Sequence, residues 1–196
     1  MWTVFDARAF FDGELAAHSE VAEAVRAGMA DAVADMLDAW ERAVRGGGKI
    51  LFFGNGGSAA DAQHLATELV VRFRANRPAI AAIALTTDTS ALTAAGNDYG
   101  FDHVFSRQIE ALGRPGDLAI GFSTSGNSPN ILRALEQARE QGVATAAFTG
   151  GTGGRMLELA DHALLVPSPV TARIQEMHIT LGHILCGALE VRLGFA

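Results

Sequence analysis

The chain has 196 residues, 49% of them hydrophobic, which is enough for one folded domain with a substantial core. A net charge of −7, with Lys49 as the only lysine, excludes a broad basic surface for nucleic acid. The single cysteine, Cys186, excludes an intramolecular disulfide, and the longest apolar runs are too short to span a membrane. No signal-peptide pattern opens the sequence, so we expect a cytoplasmic protein that binds neither membranes nor nucleic acid.

In chain order, a helical apolar pattern comes first, and short buried strands then alternate with helices. The predicted N-terminal helix covers residues 14–46 and ends at a glycine triplet. The predicted strands are 49–54, 79–85, 117–122, 143–148 and 162–167, and the later helices are 58–73, 105–112, 129–142, 155–160 and 172–193. This alternation predicts a three-layer α/β/α sandwich with a five-stranded parallel sheet and extra N-terminal helices. We expect a single domain over 1–196, with its α/β core in 47–196.

The first strand runs into a glycine-rich turn, GNGGS (54–58). The turn formally matches the dinucleotide fingerprint G-x-G-x-x-G/A, but Arg72 and Arg74 occupy the region where that fingerprint requires an acid. No lysine follows the glycines, which excludes a P-loop. A plain strand-to-helix turn and an anion site at the helix N-terminus both stay open. Ser58 and Asp61 are predicted to form a capping pair at the helix start.

A second polar loop, STSGNS (123–128), follows the third strand. Ser123, Thr124, Ser125 and Ser128 crowd hydroxyl groups around one glycine. Hydroxyls and backbone amides can hold a phosphate ester without a large positive charge, while an ordinary serine-rich turn is the alternative. Ligands of such sheets bind beyond the carboxyl ends of the strands. Two donor-rich loops there favour a phosphorylated ligand over a dinucleotide.

Polar residues at helical spacing suggest a metal or acid/base site. His64 and Glu68 are four residues apart, so they share one helix face and can share one ligand, although a solvated face is the alternative. Gln175, His178 and His183 interrupt the otherwise apolar C-terminal helix. The two histidines there lie about 140° apart on a regular helix, and spacing alone does not choose between them.

Taken together, these motifs resemble the phosphoheptose isomerase family, whose members are SIS (sugar isomerase) domain enzymes. The resemblance covers the chain from about Ala22 to the C-terminus and implies a flavodoxin-like fold. It rests on GNGGSAADAQH, E-x-x-x-R-F (68–73), NRPAIAAIALTTDTS, GNDYGF, FSRQ, STSGNSPN and RIQEMH-x-x-x-x-H, in that order. Several motifs in one order are far more specific than any one of them.

The resemblance implies a role for each candidate residue. The phosphate would be held by Ser58, Ser123, Thr124, Ser125 and Ser128. The sugar site would be lined by Asn55, Gly56, Gly57, Asn97 and Asp98, together with Glu68 and Gln175. One Zn²⁺ per subunit would be bound by His64, Glu68, Gln175 and His183, which selects His183 over His178.

The implied reaction converts sedoheptulose 7-phosphate to D-glycero-D-manno-heptose 7-phosphate, the first step of nucleotide-activated heptose biosynthesis. It would pass through an enediol(ate), with Glu68 and His183 as the acid/base pair and zinc as a Lewis acid. Family members are homotetramers with active sites at subunit interfaces. We therefore expect residues 1–46 to serve in oligomerisation, and such an interface would let His183 reach the site from a neighbouring chain.

Two other functions stay open. Relatives that bind the bacterial replication initiator also carry RIQEMH but lack the catalytic residues. Glu68 and His183 are both present here, which favours an enzyme over such a non-catalytic adaptor. An isomerase or sensor for a different sugar phosphate is the third possibility, because the loops recognise a phosphate better than they recognise chain length.

Overall fold

The computed structural model describes residues 5–195, so residues 1–4 and 196 of the predicted domain lie outside the described range. The strands are β1 (Ile50–Gly54), β2 (Ala82–Ala84), β3 (Leu118–Ser123), β4 (Ala144–Gly150) and β5 (His162–Val166). The helices are α1 (Ala7–Gly28), α2 (Ala30–Arg45), α3 (Gly57–Val70), α4 (Thr89–Tyr99), α5 (Ser106–Leu112), α6 (Pro129–Glu140), α7 (Met156–Leu159) and α8 (Thr171–Arg192). A 3₁₀ turn at Phe101–His103 joins α4 to α5.

The strands form one parallel sheet in the order β2-β1-β3-β4-β5, which confirms the predicted fold. Successive side chains of a strand point to opposite faces, and β1 is apolar on both. Ile50 and Phe52 pack into a core with α2, α3 and α8, whereas Leu51 and Phe53 pack into a second core with α4 to α7. The sheet is therefore the middle layer of three.

The strand order places the switch point of the sheet between β1 and β3. The chain leaves β1 toward the β2 edge and returns to β3 on the other side, so the loops after β1 and β3 diverge above a shared crevice. Ligands of doubly wound sheets bind at this crevice. Both donor-rich loops predicted from the sequence lie there.

The predicted single helix over 14–46 is wrong in two respects. The helix begins earlier, at Ala7, because the side chain of Asp6 accepts hydrogen bonds from the first free amides of α1. It is also divided at Met29, where the backbone leaves helical geometry and the side chain enters the core. Gly28, a weak helix former, precedes that break.

Helix α1 lies on α8 but contributes no buried residue to the chain. Nδ1 of His18 lies 2.8 Å from Oε2 of Glu176, and the guanidinium of Arg173 donates to the Glu14 carbonyl at 2.5 Å. These polar contacts, together with Val21 and Val25 packed against the core, hold the helix while Phe10 and Phe11 remain exposed. Within residues 5–195, none of the helices combines the length and apolarity needed to cross a membrane.

Candidate active site

The two donor-rich loops are joined at their bases by a pair of amide side chains. Nδ2 of Asn55 donates to Oδ1 of Asn130 at 2.9 Å, and Nδ2 of Asn130 donates back at 2.8 Å. Asn130 is 1% exposed, so its amide is satisfied mainly through this pair. The sequence analysis missed Asn130. Its position directly before the apolar Ile131 and Leu132 could have indicated a buried polar side chain that needs a partner.

The first loop turns through Gly56, whose φ of +55° lies in the left-handed region. Gly56 is therefore the N-cap, and α3 begins at Gly57. The predicted capping pair is wrong, because Ser58 already lies inside the helix and no side chain caps it. Ser58 is buried, and its amide donates to the Asn55 carbonyl at 3.0 Å, while the next two amides of α3 donate to the Gly56 carbonyl. Gly57 is exposed beside the crevice.

The second loop gathers three hydroxyl groups. Oγ of Ser123 lies 3.0 Å from Oγ of Ser128 and 3.4 Å from Oγ of Ser125. Ser128 occupies the N-cap position of α6, but its hydroxyl makes no capping bond. Thr124, partly exposed, completes the set. The hydroxyls are grouped with one another and are free to reorient toward an anion.

A third loop, GGTGG (150–154), begins at the last residue of β4 and packs against the STSGNS loop. Cβ of an alanine at Gly126 would come within 1.9 Å of the Gly153 carbonyl oxygen, so only glycine permits this approach. Oδ1 of Asn127 accepts from the Arg155 amide at 3.1 Å, and the Gly126 carbonyl accepts from the Met156 amide at 3.0 Å. The STSGNS loop is thus held at its middle, through Gly126 and Asn127.

Two imidazoles and a carboxylate meet between α3 and α8. Nε2 of His64 lies 2.8 Å from Nε2 of His183 and 3.2 Å from Oε1 of Glu68. One ligand atom from each of the three lies within 4.8 Å of the others, the spacing of a group that can hold a metal ion. All three residues belong to one chain, so His183 does not have to come from a neighbour to reach His64.

Helices α3 and α8 run side by side in the same direction, and glycine allows their close contact. An added Cβ at Gly57 would meet Nε2 of Gln175 at 2.6 Å, and one at Gly182 would meet both Leu65 methyl groups at 2.6 Å. His183 therefore reaches His64 in the middle of the contact. Gln175 lies at its beginning, roughly 12 Å of helical rise before His183.

The surroundings of this cluster shift the pKa values of two side chains, His183 and Asp61. Burial lowers the pKa of His183, and the nearby His64 acts in the same direction, while Glu68 opposes both. His183 is therefore disposed to stay neutral, as a metal ligand or general base requires. One turn before His64, burial raises the pKa of the Asp61 carboxyl to about 6, and its Oδ2 has no hydrogen-bond partner among residues 5–195.

Comparison with known proteins identifies the family. The SIS domain profile matches residues 15–150. The phosphoheptose isomerase of Paramagnetospirillum magneticum is 58% identical over 181 residues, which are 92% of this chain and 94% of that protein. The structures of the phosphoheptose isomerases from Neisseria gonorrhoeae and Francisella tularensis have TM-scores of 0.90 and 0.92 at 43% and 35% identity. Each comparison covers 95% of this chain and 100% of the solved one. The chain belongs to the phosphoheptose isomerase family.

Within this family fold, the structure separates the two histidines that spacing left equivalent. His178 is fully buried, its Nε2 donates to the Thr149 carbonyl at 3.2 Å, and its ring lies edge-on to Phe122 and Phe148. Burial lowers its pKa to about 4 despite the opposing Thr149 hydrogen bond. It is a neutral core residue, whereas His183 faces α3.

The remaining predicted sugar-site residues of the family lie apart from this cluster. Asn97 and Asp98 are exposed at the end of α4, where Nδ2 of Asn97 donates to Oδ1 of Asp98 at 2.7 Å. They are on the sheet face opposite α3 and α8. Within one chain, the structure joins the hydroxyl loop to the glycine turn. The histidine–glutamate cluster lies roughly 10 to 16 Å of helical rise further along α3, and the α4 pair lies on the other face of the sheet.

Proposed function

We propose that this chain isomerises sedoheptulose 7-phosphate to D-glycero-D-manno-heptose 7-phosphate, the first step toward a nucleotide-activated heptose. The observation that carries the proposal is the meeting of Glu68, His64 and His183 in a chain 58% identical to a phosphoheptose isomerase. An aldose–ketose isomerase needs a phosphate cradle, a group that moves a proton between adjacent carbons, and stabilisation of the enediolate. The chain offers residues for each.

The phosphate binds to the two loops at the switch point. The hydroxyls of Ser58, Ser123, Thr124, Ser125 and Ser128 donate to it, close to the N-terminus of α3, whose dipole favours an anion. The grouping of three of these hydroxyls within 3.4 Å supports the assignment. Asn55, Gly56, Gly57, Gln175, Asn97 and Asp98 line the sugar.

Glu68 and His183 act as the acid/base pair. One takes a proton from C1 to form the enediolate and then delivers a proton to C2, while the other moves a proton from the C1 oxygen to the C2 oxygen. The carbonyl thereby passes from C2 to C1. The lowered pKa of His183 favours the neutral imidazole that can accept a proton near pH 7. The nearby His64 orients both groups at 2.8 and 3.2 Å.

The same residues suit a zinc ion. Three atoms with lone pairs converge there, and imidazole nitrogens and carboxylate oxygens are ordinary zinc ligands. His64, Glu68 and His183 would hold the ion. Gln175, the fourth predicted ligand, lies roughly 12 Å of helical rise from His183 in the same chain, so a neighbouring subunit would have to supply it. When bound, zinc supplies a Lewis acid that stabilises negative charge on the substrate oxygens.

The active protein is a cytoplasmic homotetramer in this proposal, with its sites at subunit interfaces and residues 1–46 used in assembly. Phe10, Phe11 and Leu15 on α1 are each more than half exposed, and a group of large apolar side chains left exposed on a surface often marks an interface. A groove of about 510 Å³ also opens beside His183, lined by the exposed Ile184 and Val191. A second copy would cover these apolar surfaces.

The direct test incubates the purified full-length chain, with and without added zinc, with sedoheptulose 7-phosphate and detects the heptose phosphate. Glu68→Gln and His183→Ala should lose activity by at least about a thousandfold. The surface variants Glu140→Gln and His103→Ala are matched controls that should keep it. Absence of turnover with zinc, or full turnover in the two site variants, contradicts the proposal.

The same preparation distinguishes the other functions. Binding to the bacterial replication initiator in a pull-down, without turnover, would indicate the non-catalytic adaptor. Faster turnover of a ketose phosphate with a different carbon number would indicate another isomerase. Size-exclusion chromatography with light scattering tests the tetramer, and deletion of residues 1–28 should reduce the assembly.

A further inference from the structure

A single buried carboxylate fastens the segment after α3 to α8. Glu190 is 1% exposed and accepts hydrogen bonds from the amides of Phe73, Arg74 and Ala75 at 3.0 to 3.1 Å, and from Nε of Arg77 at 2.9 Å. Burial alone would raise the pKa of Glu190, but these donors together lower it. The carboxylate is therefore charged and its lone pairs are occupied.

Arg77 extends this clamp to the end of α3. Its side chain is 0% exposed, and its terminal nitrogens donate to the carbonyls of Glu68 and Leu69, each at 2.8 Å. These carbonyls belong to the last turn of α3 and have no acceptor role within the helix. The Glu190–Arg77 pair thus joins the backbone of Glu68 directly to α8.

The clamped segment carries an aromatic ring that lies on His183. The ring centroids of Phe73 and His183 are 5.3 Å apart and the planes differ by 19°, a stacked pair. His64 meets the same imidazole at its edge, with centroids 4.9 Å apart and planes at 63°. Gly187 makes room for the stack, since an added Cβ there would come within 3.3 Å of Cε1 of Phe73.

A face contact and an edge contact together restrict how an imidazole can rotate. The ring of Phe73 blocks rotation about the Cβ–Cγ bond of His183, because turning the imidazole would drive its edge into the phenyl face. In the orientation that remains, Nε2 of His183 points to Nε2 of His64. Phe73 is itself only partly buried, so its contribution to the core is modest.

We infer that Phe73 is a positioning residue that holds the His183 imidazole toward His64 and Glu68, and that Glu190 with Arg77 holds Phe73 in place. The inference rests on the roles proposed above for Glu68 and His183. It assigns a purpose to Phe73 and Arg77, which belong to the motifs E-x-x-x-R-F and NRPAIAAIALTTDTS, and to Glu190, which lies after the last motif. The proposed reaction leaves all three without a role. Residues that orient metal ligands typically change metal affinity or activity 10- to 100-fold when replaced.

The test compares Phe73→Leu, which keeps an apolar side chain, with Phe73→Tyr, which keeps the ring. The chain has six histidines, so the imidazole C–H signals of histidine-labelled protein are few, and His183→Gln assigns the one of interest. In the metal-free full-length protein, we expect the phenyl ring current to displace the His183 signal upfield. Phe73→Leu should abolish this displacement and Phe73→Tyr should retain it.

Function should follow the same pattern. Phe73→Leu should weaken zinc binding, measured by competition with a chromophoric chelator, by about 10-fold and lower kcat by at least as much, with KM within about twofold. Phe73→Tyr should restore both. Gly187→Ala, which crowds the phenyl ring from α8, should also displace the His183 signal without removing the ring.

Phe105→Leu is the matched control, because it makes the same substitution in the other core, where Phe105 packs on Phe53. An unchanged His183 signal in Phe73→Leu overturns the inference, as does an equal loss of zinc affinity in Phe105→Leu. Failure of the proposed function is separate: the unsubstituted chain would not turn over sedoheptulose 7-phosphate, while the resonance and zinc measurements would still decide the role of Phe73.

Discussion

Gly182 on α8 lies directly against the side chain of Leu65 on α3. A Cβ at Gly182 would approach both Leu65 methyl groups to 2.6 Å, well inside van der Waals contact. The next residue on α8 is His183 and the residue before Leu65 is His64, so the glycine sets the distance between the two imidazoles. The 2.8 Å contact of their Nε2 atoms depends on this missing side chain.

Gly182→Ala should therefore separate the helices and impair the site. Overpacking of a core costs about 1–3 kcal/mol, partly offset by up to about 1 kcal/mol from the better helix propensity of alanine. We expect zinc affinity and kcat to fall by 10-fold or more while the unfolding free energy falls by less than about 2 kcal/mol. Gly13→Ala, in an open position of α1, is the control and should leave zinc affinity and kcat unchanged. Unchanged zinc affinity in Gly182→Ala would refute the spacing argument.

Asp61 should make the protein less stable as pH rises. The folded-state pKa of about 6 lies above the unfolded value of about 4, so the folded chain binds a proton between these values that the unfolded chain releases. The unfolding free energy should fall from about pH 4 to 6 and stay reduced above. Because the carboxylate is partly exposed, we discount the full linkage to about 1 kcal/mol.

The variant Asp61→Asn tests this linkage by urea unfolding at a fixed protein concentration. We expect it to be about 1 kcal/mol more stable than the unsubstituted chain at pH 8 and equal to it near pH 4. Asp12→Asn, on an exposed face of α1, controls for the change in net charge. A variant that is less stable at pH 8 would mean that the charged carboxylate is favoured in the folded state.

Ser128→Ala should weaken phosphate binding without weakening α6. An N-cap serine normally contributes about 1 kcal/mol, but the Ser128 hydroxyl makes no capping bond, and within residues 5–195 its only hydrogen-bond partner is Ser123. A hydrogen bond to a charged ligand contributes about 1.5–3 kcal/mol, so KM and the inhibition constant of inorganic phosphate should both rise 10-fold or more. The unfolding free energy should stay within about 0.5 kcal/mol.

Steady-state kinetics and urea unfolding of the same preparation check this prediction. Ser19→Ala, which removes a hydroxyl bonded to the Leu15 carbonyl on α1, should change neither constant. A large loss of stability with unchanged inhibition by phosphate would show that Ser128 serves the helix and not the ligand.

Zinc should stabilise the protein through the histidine–glutamate cluster. At a free concentration one hundred times its dissociation constant, a ligand that binds only the folded state adds about 2.7 kcal/mol. Zinc should therefore raise the melting temperature after chelation, and the rise should vanish in His64→Ala and His183→Ala. His103→Ala should respond like the unsubstituted chain. A full response in either cluster variant would place the metal elsewhere.

Local patterns were sufficient to predict the sheet, because its central strands β1, β3 and β4 are short apolar runs buried on both faces. They failed where a distant residue decides the boundary. Helix α3 was expected to continue to Phe73 but ends at Val70, since Glu190 accepts from the Phe73 amide across 117 positions of sequence. The sequence near Phe73 does not include Glu190, so local patterns could not predict where this helix ends.

In the candidate site, too, local sequence patterns predicted some features, and contacts between distant residues decided the others. The spacing of His64 and Glu68 predicted a shared face, and the family resemblance then selected His183. Which face of α8 meets α3, however, depends on Gly182 fitting against Leu65, a contact between residues distant in sequence. The pairing of Asn55 with Asn130 was hidden for the same reason, because each amide is satisfied by a partner 75 positions away.

The order of the site along the chain has a consequence for biosynthesis. His64 and His183 are separated by 119 positions, on the first helix after β1 and on the final helix. A ribosome releases both phosphate-binding loops, and the sheet that carries them, well before α8 emerges. Until then a nascent chain can present a cradle for a sugar phosphate but holds only half of the groups that would act on it, so catalysis must wait for the last helix to dock.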